Sequence, residues 1–137
     1  MPTDMTNEDL IKIAEAALNP HVVKNGRLFG DVGAALLSEH GQIHTGVSVD
    51  TPSWGLCAER AAMAAMITAR EYKIRKIVAV SRNAENGKLY ILPPCGVCRE
   101  FMHAVDERNL DADVIVGKNE VVKLKVLLPY HEWPEPM

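Results

Sequence analysis

A chain of 137 residues is long enough for one compact domain with a buried core and short for two, so residues 1–137 read as a single domain. With 47% hydrophobic and 24% charged residues it has an ordinary globular balance. A formal net charge of -3 and a pI of about 5.9 weigh against a surface built to hold a nucleic acid polymer. No apolar run approaches the ~20 residues that a membrane span requires.

Met1–Leu10 is polar and acidic and shows no basic-then-apolar leader pattern, so the expected location is cytoplasmic. In that compartment three cysteines are expected to stay reduced and to be buried, metal-bound or catalytic.

In chain order, Thr6 with Asp9 three residues on forms a helix-start pattern. Leu10, Ile13, Ala14, Ala17 and Leu18 follow at helical spacing, and Asn19-Pro20 stops the helix. His21–Gly30 reads as loop. Val32–Leu37 and Ile43–Val49, joined by Glu39-His40-Gly41, read as a hairpin. Cys57 to about Tyr72 predicts a helix that is apolar on nearly every side, hence buried against a sheet or a second subunit. Ile77–Val80 suits a central strand and Tyr90–Leu92 a short one. A second helix is predicted from Gly96 to Arg108, then a strand at Val114–Val116. Val122–Val126 alternates with lysines, as a half-buried strand or a strand running into a helical turn. Strands alternating with helices give an α/β class, a three-layer α/β/α sandwich.

The residues that carry chemistry are Cys57-Ala58-Glu59-Arg60 and Pro94-Cys95-Gly96-Val97-Cys98-Arg99. Taken singly they are ambiguous. Cys57 alone reads as a small buried hydrophobe, Glu59 as a first-turn carboxylate, and Cys95/Cys98 as structural zinc or a redox pair. Taken together they fit a metal site, because Cys-x-x-Cys brings two sulfurs to one ion and Cys57 is the only further thiol. Three protein ligands and one open position is the arrangement of catalytic rather than structural Zn2+. Water at the open position has its pKa lowered towards about 7. Each element opens a predicted helix, where backbone N–H groups favour thiolate. Three thiolates on a dication leave an excess negative charge, and Arg60, next to the ligands, is expected to offset it by hydrogen bonds to sulfur. Glu59, two residues from a ligand, is placed to pass protons without binding the metal. The five histidines (His21, His40, His44, His103, His131) fall in no ligand spacing and read as surface or loop residues.

At these residues the chain resembles the cytidine deaminase superfamily, in particular the small branch holding cytidine deaminases and blasticidin-S deaminases. The similarity runs from Val32 to Pro129. It includes Val32-Gly33-Ala34-Ala35-Leu36, Gly41-Gln42-Ile43 with Thr45-Gly46-Val47, the two cysteine elements, and Leu127-Leu128-Pro129. The resemblance implies a mixed five-stranded sheet flanked by helices, a homotetramer, and hydrolytic loss of ammonia from an aminopyrimidine. It also implies a free small-molecule nucleoside as substrate, since relatives acting on polymers usually carry His where Cys57 stands.

The departures fall on the substrate side. The family's Asn-x-Glu, which holds the ribose, is matched by Ser48-Val49-Asp50, a weaker and shorter pair. The family's aromatic residue before the Val-Gly-Ala strand falls on Gly30, leaving Phe29 as a substitute if the loop shifts. Trp54 is a further candidate for the pocket wall, and the backbone around Ala58 and Pro94 for positioning the ring. Cytidine or deoxycytidine is the expected substrate. The alternatives are blasticidin S or another cytosine-like molecule and, in another class, a non-catalytic zinc-binding module.

Overall fold

The computed structural model describes residues 5–137. Helix α1 (Asn7–Ala17) starts as the sequence predicts: Thr6 Oγ1 accepts from the Asp9 N–H at 3.0 Å, and Asp9 Oδ2 accepts from the Thr6 N–H at 3.1 Å. Strands β1 (His21–Val22), β2 (Leu28–Ser38) and β3 (Ile43–Val49) follow, then α2 (Ala58–Thr68), β4 (Ile74–Arg82) and β5 (Leu89–Ile91). Helix α3 (Gly96–Val105) leads into a 3-10 turn (Glu107–Asp111), β6 (Asp113–Gly117), β7 (Glu120–Lys123) and α4 (Leu124–Leu127).

All the strands join one mixed sheet in the order β1-β2-β4-β6-β7, with β3 paired to β2 and β5 to β4. The β4–β6 pair is parallel and the others are antiparallel. The sheet therefore has 7 strands, not five. The additions to the long strands are short: β5 has 3 residues, and β1 has 2 within the segment read as loop. Both residues of β1 are exposed, so no apolar alternation marks it, and its pairing to Leu28 and Phe29 is a backbone event.

The period of two sorts the strands' apolar residues onto two faces. Ala34, Leu36, Ile77, Ala79 and Val114 point to one side and pack with Ala58, Ala62, Met63 and Met66 of α2 and Met102 of α3. Ala35, Val78, Val80 and Ile115 point to the other and pack with Leu10 and Ala14 of α1. This is the three-layer α/β/α arrangement.

Two glycines set how closely the helices lie. A Cβ on Gly33 would stand 2.5 Å from the Ala14 carbonyl oxygen of α1. A Cβ on Gly46 would stand 2.7 Å from the Ala58 carbonyl oxygen and collide with the Ala62 amide, both of α2. Strand β3 therefore carries α2, and everything α2 bears, at backbone contact distance.

Several elements differ from their expected extent. Helix α2 stops at Thr68, and its Ala64 and Ala65 are exposed while Ala62, Met63 and Met66 are buried, so its all-round apolar composition does not bury it all round. Helix α3 stops at Val105 because Asp106, in extended conformation, caps the following turn by accepting from the Arg108 N–H at 2.9 Å. That turn holds Asn109, fully buried. Its Oδ1 accepts from the Ile74 N–H at 2.8 Å, and its Nδ2 donates to the Tyr72 and Met102 carbonyls at 3.0 and 2.9 Å. Two histidines are not the surface residues expected. His44 lies on β3 against buried Glu71, with 3.4 Å between Nε2 and Oε2. His103 lies on α3 with its ring edge-on to His131, centroids 5.0 Å apart.

Candidate active site

Cys57 and Cys95 occupy the N-cap positions of α2 and α3, both with extended backbone. Neither sulfur caps its own helix, so each is free to face the other. Cys98 lies in the first turn of α3 and is fully buried. The Cys57–Cys95 and Cys95–Cys98 Sγ separations are both 3.6 Å, and all three sulfurs lie within 4.8 Å of one another.

This spacing fits a single tetrahedral zinc, whose Zn–S bonds of about 2.3 Å put neighbouring sulfurs about 3.8 Å apart. The protonation chemistry agrees. Burial pushes the Cys98 thiol up strongly, and the Glu59 carboxylate adds to this. Burial also acts to raise Cys95, but the polarised N–H groups at the start of α3, Cys98 foremost, although none is in capping geometry, and the neighbouring thiols outweigh it and hold Cys95 below the ordinary thiol range. Three crowded sulfurs cannot all ionise without a cation among them.

Arg60 supplies fixed positive charge. Its Nη2 donates to Cys57 Sγ at 3.7 Å, and this hydrogen bond is the chief reason its guanidinium is held even more firmly protonated. The Arg60 Nε is buried and has no partner among the described residues. Arg99 does not touch the sulfurs. It donates from Nε to the Pro94 carbonyl at 2.8 Å and from Nη1 to the Leu127 carbonyl at 3.2 Å, tying the Cys95 element to α4.

Glu59, in the first turn of α2, is 6% exposed. Burial raises its carboxyl above the ordinary range, against the pull of its own backbone N–H and of Arg60. A carboxyl raised in this way is suited to taking up a proton and giving it back.

A cavity of about 360 Å³ opens over these groups. Cys57, Ala58, Glu59, Arg60 and Cys95 line it on one side, and Val32, Ser48, Val49, Asp50, Trp54, Gly55, Leu56, Leu92 and Pro93 complete it. It is the size of a small-ligand site. A larger cavity of about 990 Å³ lies on the α1 face, bordered by Thr6, Ile11, Tyr90, Ile115 and Val121, but no sulfur and not Glu59 reaches it. The smaller cavity is therefore the one next to the chemistry.

Most residues singled out in the sequence meet here, with exceptions. Pro94 lines a narrow gap beneath Glu59, too small for water, rather than the cavity. Phe29 does not line the cavity; it pairs with His21 and with Val49 in the sheet. No aromatic side chain can stand at Gly30 either, because its φ is +75 and a Cβ there would collide with the Asn19 carbonyl. Trp54 borders the cavity, is 97% exposed as a residue, and has its backbone at φ 78, a conformation a bulky residue rarely adopts. The loop holding it is closed at its base by reciprocal Val49 and Leu56 backbone hydrogen bonds of 2.8 Å.

Sequence reading missed Asp31, whose Oδ1 accepts from Ser48 Oγ at 2.7 Å, and the walls given by Leu92 and Pro93. Nothing local marks Asp31, since its partner is 17 residues away.

An α/β/α domain that brings three sulfurs and a buried carboxylate together at two helix starts is the framework of a zinc-dependent hydrolase. A family model described as the cytidine and deoxycytidylate deaminase zinc-binding region matches residues 5–112. The chain belongs to that family. It is 36% identical over 100 residues to the Dictyostelium discoideum protein named "Probable cytidine deaminase", a match covering 71% of this chain; the chain spans 65% of that relative's length. It is also 36% identical over 100 residues to the cytidine deaminase of Halalkalibacterium halodurans, covering 72% of this chain and 70% of that protein. Among solved structures it is similar to the cytidine deaminase of Mycobacterium leprae, with a TM-score of 0.73, 28% identity, and 92% and 99% of the two chains covered. The cytidine deaminase of Burkholderia pseudomallei gives a TM-score of 0.71 at 26% identity, covering 92% and 98%.

Proposed function

We propose that this protein hydrolyses the exocyclic amine of a free aminopyrimidine nucleoside, converting cytidine or deoxycytidine and water to uridine or deoxyuridine and ammonia. The observation that carries the reading is the buried Glu59 carboxyl, raised by its burial, in the same cavity as Cys57 and Cys95. Zinc held by Cys57, Cys95 and Cys98 would supply Lewis acidity that makes water nucleophilic near neutral pH. Glu59 takes the proton that this water loses, delivers it to the ring nitrogen, and then passes a proton to the departing amine. Arg60, donating to Cys57 Sγ, would offset part of the negative charge that three thiolates bring to the ion. The Ala58 backbone flanks the ring, and Ser48 and Asp50 face its sugar.

A non-catalytic zinc-binding module would have no use for a buried carboxylate beside an open cavity. The small cavity and the net charge of -3 support a nucleoside rather than a polymer as partner. No helix among the described residues is long and apolar enough to cross a membrane. A cytoplasmic homotetramer is part of the proposal, supported by the family and by the exposed Tyr130 and Trp133, which offer apolar surface to a neighbouring subunit.

Parallel absorbance assays of the zinc-loaded protein on cytidine, deoxycytidine and blasticidin S test the reading. Loss of the cytosine absorbance with release of ammonia is expected for the first two. Absence of turnover on all three would refute it.

A further inference from the structure

The hydrogen bonds already made by Ser48 fix what that side chain can offer at the sugar end of the cavity. The Ser48 hydroxyl donates to Asp31 Oδ1 at 2.7 Å, and its oxygen accepts from the Val32 N–H at 3.1 Å. A serine hydroxyl has one proton and two lone pairs, so Ser48 keeps one lone pair and no donor for a ligand. Asp50, the other polar side chain contributed by this stretch, is a carboxylate and can only accept. The backbone N–H groups of Val49 and Leu56 are spent on each other's carbonyls, and that of Gly55 on Thr51 Oγ1 at 3.3 Å. Arg60, the cation of the cavity lining, donates from Nη2 to Cys57 Sγ, and its Nε is buried out of a ligand's reach.

We infer that Ser48 and Asp50 form a donor-selective subsite, with Asp31 as the positioning residue that sets the polarity of Ser48. The subsite takes a hydroxyl or an ammonium on the sugar and turns away groups that bring only acceptors or negative charge. This rests on the nucleoside deaminase reading above. A sugar hydroxyl can donate to the free Ser48 lone pair or to Asp50. An ammonium does the same with charge assistance and sits near the Asp31 carboxylate behind Ser48. A phosphate meets the Asp50 carboxylate and an oxygen with no proton to offer, and loses its hydration without replacement.

The Asp31 contact arises from the sheet. The β2–β3 register pairs Phe29 with Val49 and next pairs Gly33 with Val47, so β2 carries extra residues between these points. Such an irregularity re-aims the side chains within it. It turns Asp31 onto Ser48, and its backbone is held in place by the Ser81 hydroxyl, which donates to the Asp31 carbonyl at 2.8 Å.

The test compares kcat and KM of the zinc-loaded protein on cytidine, 3′-amino-3′-deoxycytidine, 5′-amino-5′-deoxycytidine, and the 3′- and 5′-monophosphates of cytidine. At least one amino analogue should match or exceed cytidine in kcat/KM, and both phosphates should fall about 100-fold or more below it. Either phosphate within about tenfold of cytidine, or both amino analogues more than about tenfold below it, overturns the subsite while leaving the deaminase reading intact. No ammonia from cytidine or any analogue overturns the deaminase reading itself.

In Asp31→Asn the amide can donate to Ser48 and free its proton. KM for the preferred amino analogue should then rise about tenfold more than KM for cytidine. A general loss of folding would move both alike. An unchanged ratio of the two KM values removes Asp31 from the mechanism. The wild-type substrate series decides the subsite even where the variant does not fold.

Discussion

Helices α1 and α2 each cross the sheet over a glycine, α1 over Gly33 and α2 over Gly46, at similar close range. Their N-termini are finished differently. At α1, Thr6 and Asp9 satisfy each other's backbone N–H groups, and the helix start is closed by its own side chains. At α2 and α3 the cap positions are held by Cys57 and Cys95, whose sulfurs make no capping hydrogen bond. A serine or aspartate cap contributes about 1 kcal/mol, and the α2–α3 face forgoes this twice. In return it gains two sulfurs in positively polarised surroundings, facing Cys98 across 3.6 Å in the case of Cys95. One face of the sheet has its helix start closed by side chains, and the other leaves three sulfurs and a buried carboxyl gathered at its helix starts.

Five substitutions test that contrast. The largest effect is expected from Glu59→Gln, which should lower kcat by about 10²–10⁴-fold on the true substrate with zinc content unchanged. Its melting temperature should hold or rise, since a buried carboxyl is removed. A zinc-loaded variant with unaltered kcat would show that Glu59 moves no proton.

Gly46→Ala and Gly33→Ala form the second pair. Each places a methyl group against helix backbone and should cost about 1–3 kcal/mol, read from urea unfolding. Gly46→Ala should in addition lower kcat of the folded fraction, because α2 carries Cys57 and Glu59. Gly33→Ala should leave that kcat alone. Equal kcat values in the two variants would show that the separation between the faces is wrong.

Cys57→Ser should abolish stoichiometric zinc binding, measured by metal analysis, because a neutral hydroxyl is a poor ligand beside two thiolates. With metal stripped from both proteins, the serine variant should be the more stable by up to about 1 kcal/mol, since serine caps a helix better than cysteine. A less stable metal-free variant would remove the argument that the cap is sacrificed for the metal.

The smallest effect is expected at α1. The Thr6 backbone N–H, its hydroxyl contact adding to it, holds the exposed Asp9 carboxyl below its ordinary range. A lowered folded pKa stabilises above the ordinary Asp value of about 3.9 and loses that contribution as pH falls through the folded value. Asp9→Asn should therefore be slightly less stable than wild type at pH 7 and equal to it at the acid end of a denaturation series. A gap that does not close with acid would place the effect outside the carboxyl.

The parts of the site that could be read in the sequence are those whose geometry is local. Cys95 and Cys98 are three apart, and Cys57, Glu59 and Arg60 share one helix start, so residue type and spacing define their chemistry before any fold is known. The capping box of α1, the β2–β3 hairpin and the sorting of Ala34 from Ala35 onto opposite faces are local in the same sense, set by turns and by periods of two and 3.6. The zinc ligand set was legible for this reason, and the wall of the substrate cavity was not. Strand β1, with two exposed residues, left no apolar signal.

What the sequence determined by itself is the chemistry: three thiols, a carboxylate between two of them in chain order, and a guanidinium beside it. The tertiary structure decided the recognition. It buried Glu59, excluded Phe29 from the cavity, and left Gly30 no room for a side chain. It spent the Ser48 proton on Asp31 and braced α3 to β4 through Asn109. Each of these depends on the register between strands or on helix-to-sheet distance. One displaced residue in β2 changes which side chain meets Ser48, and no spacing within a single element records that.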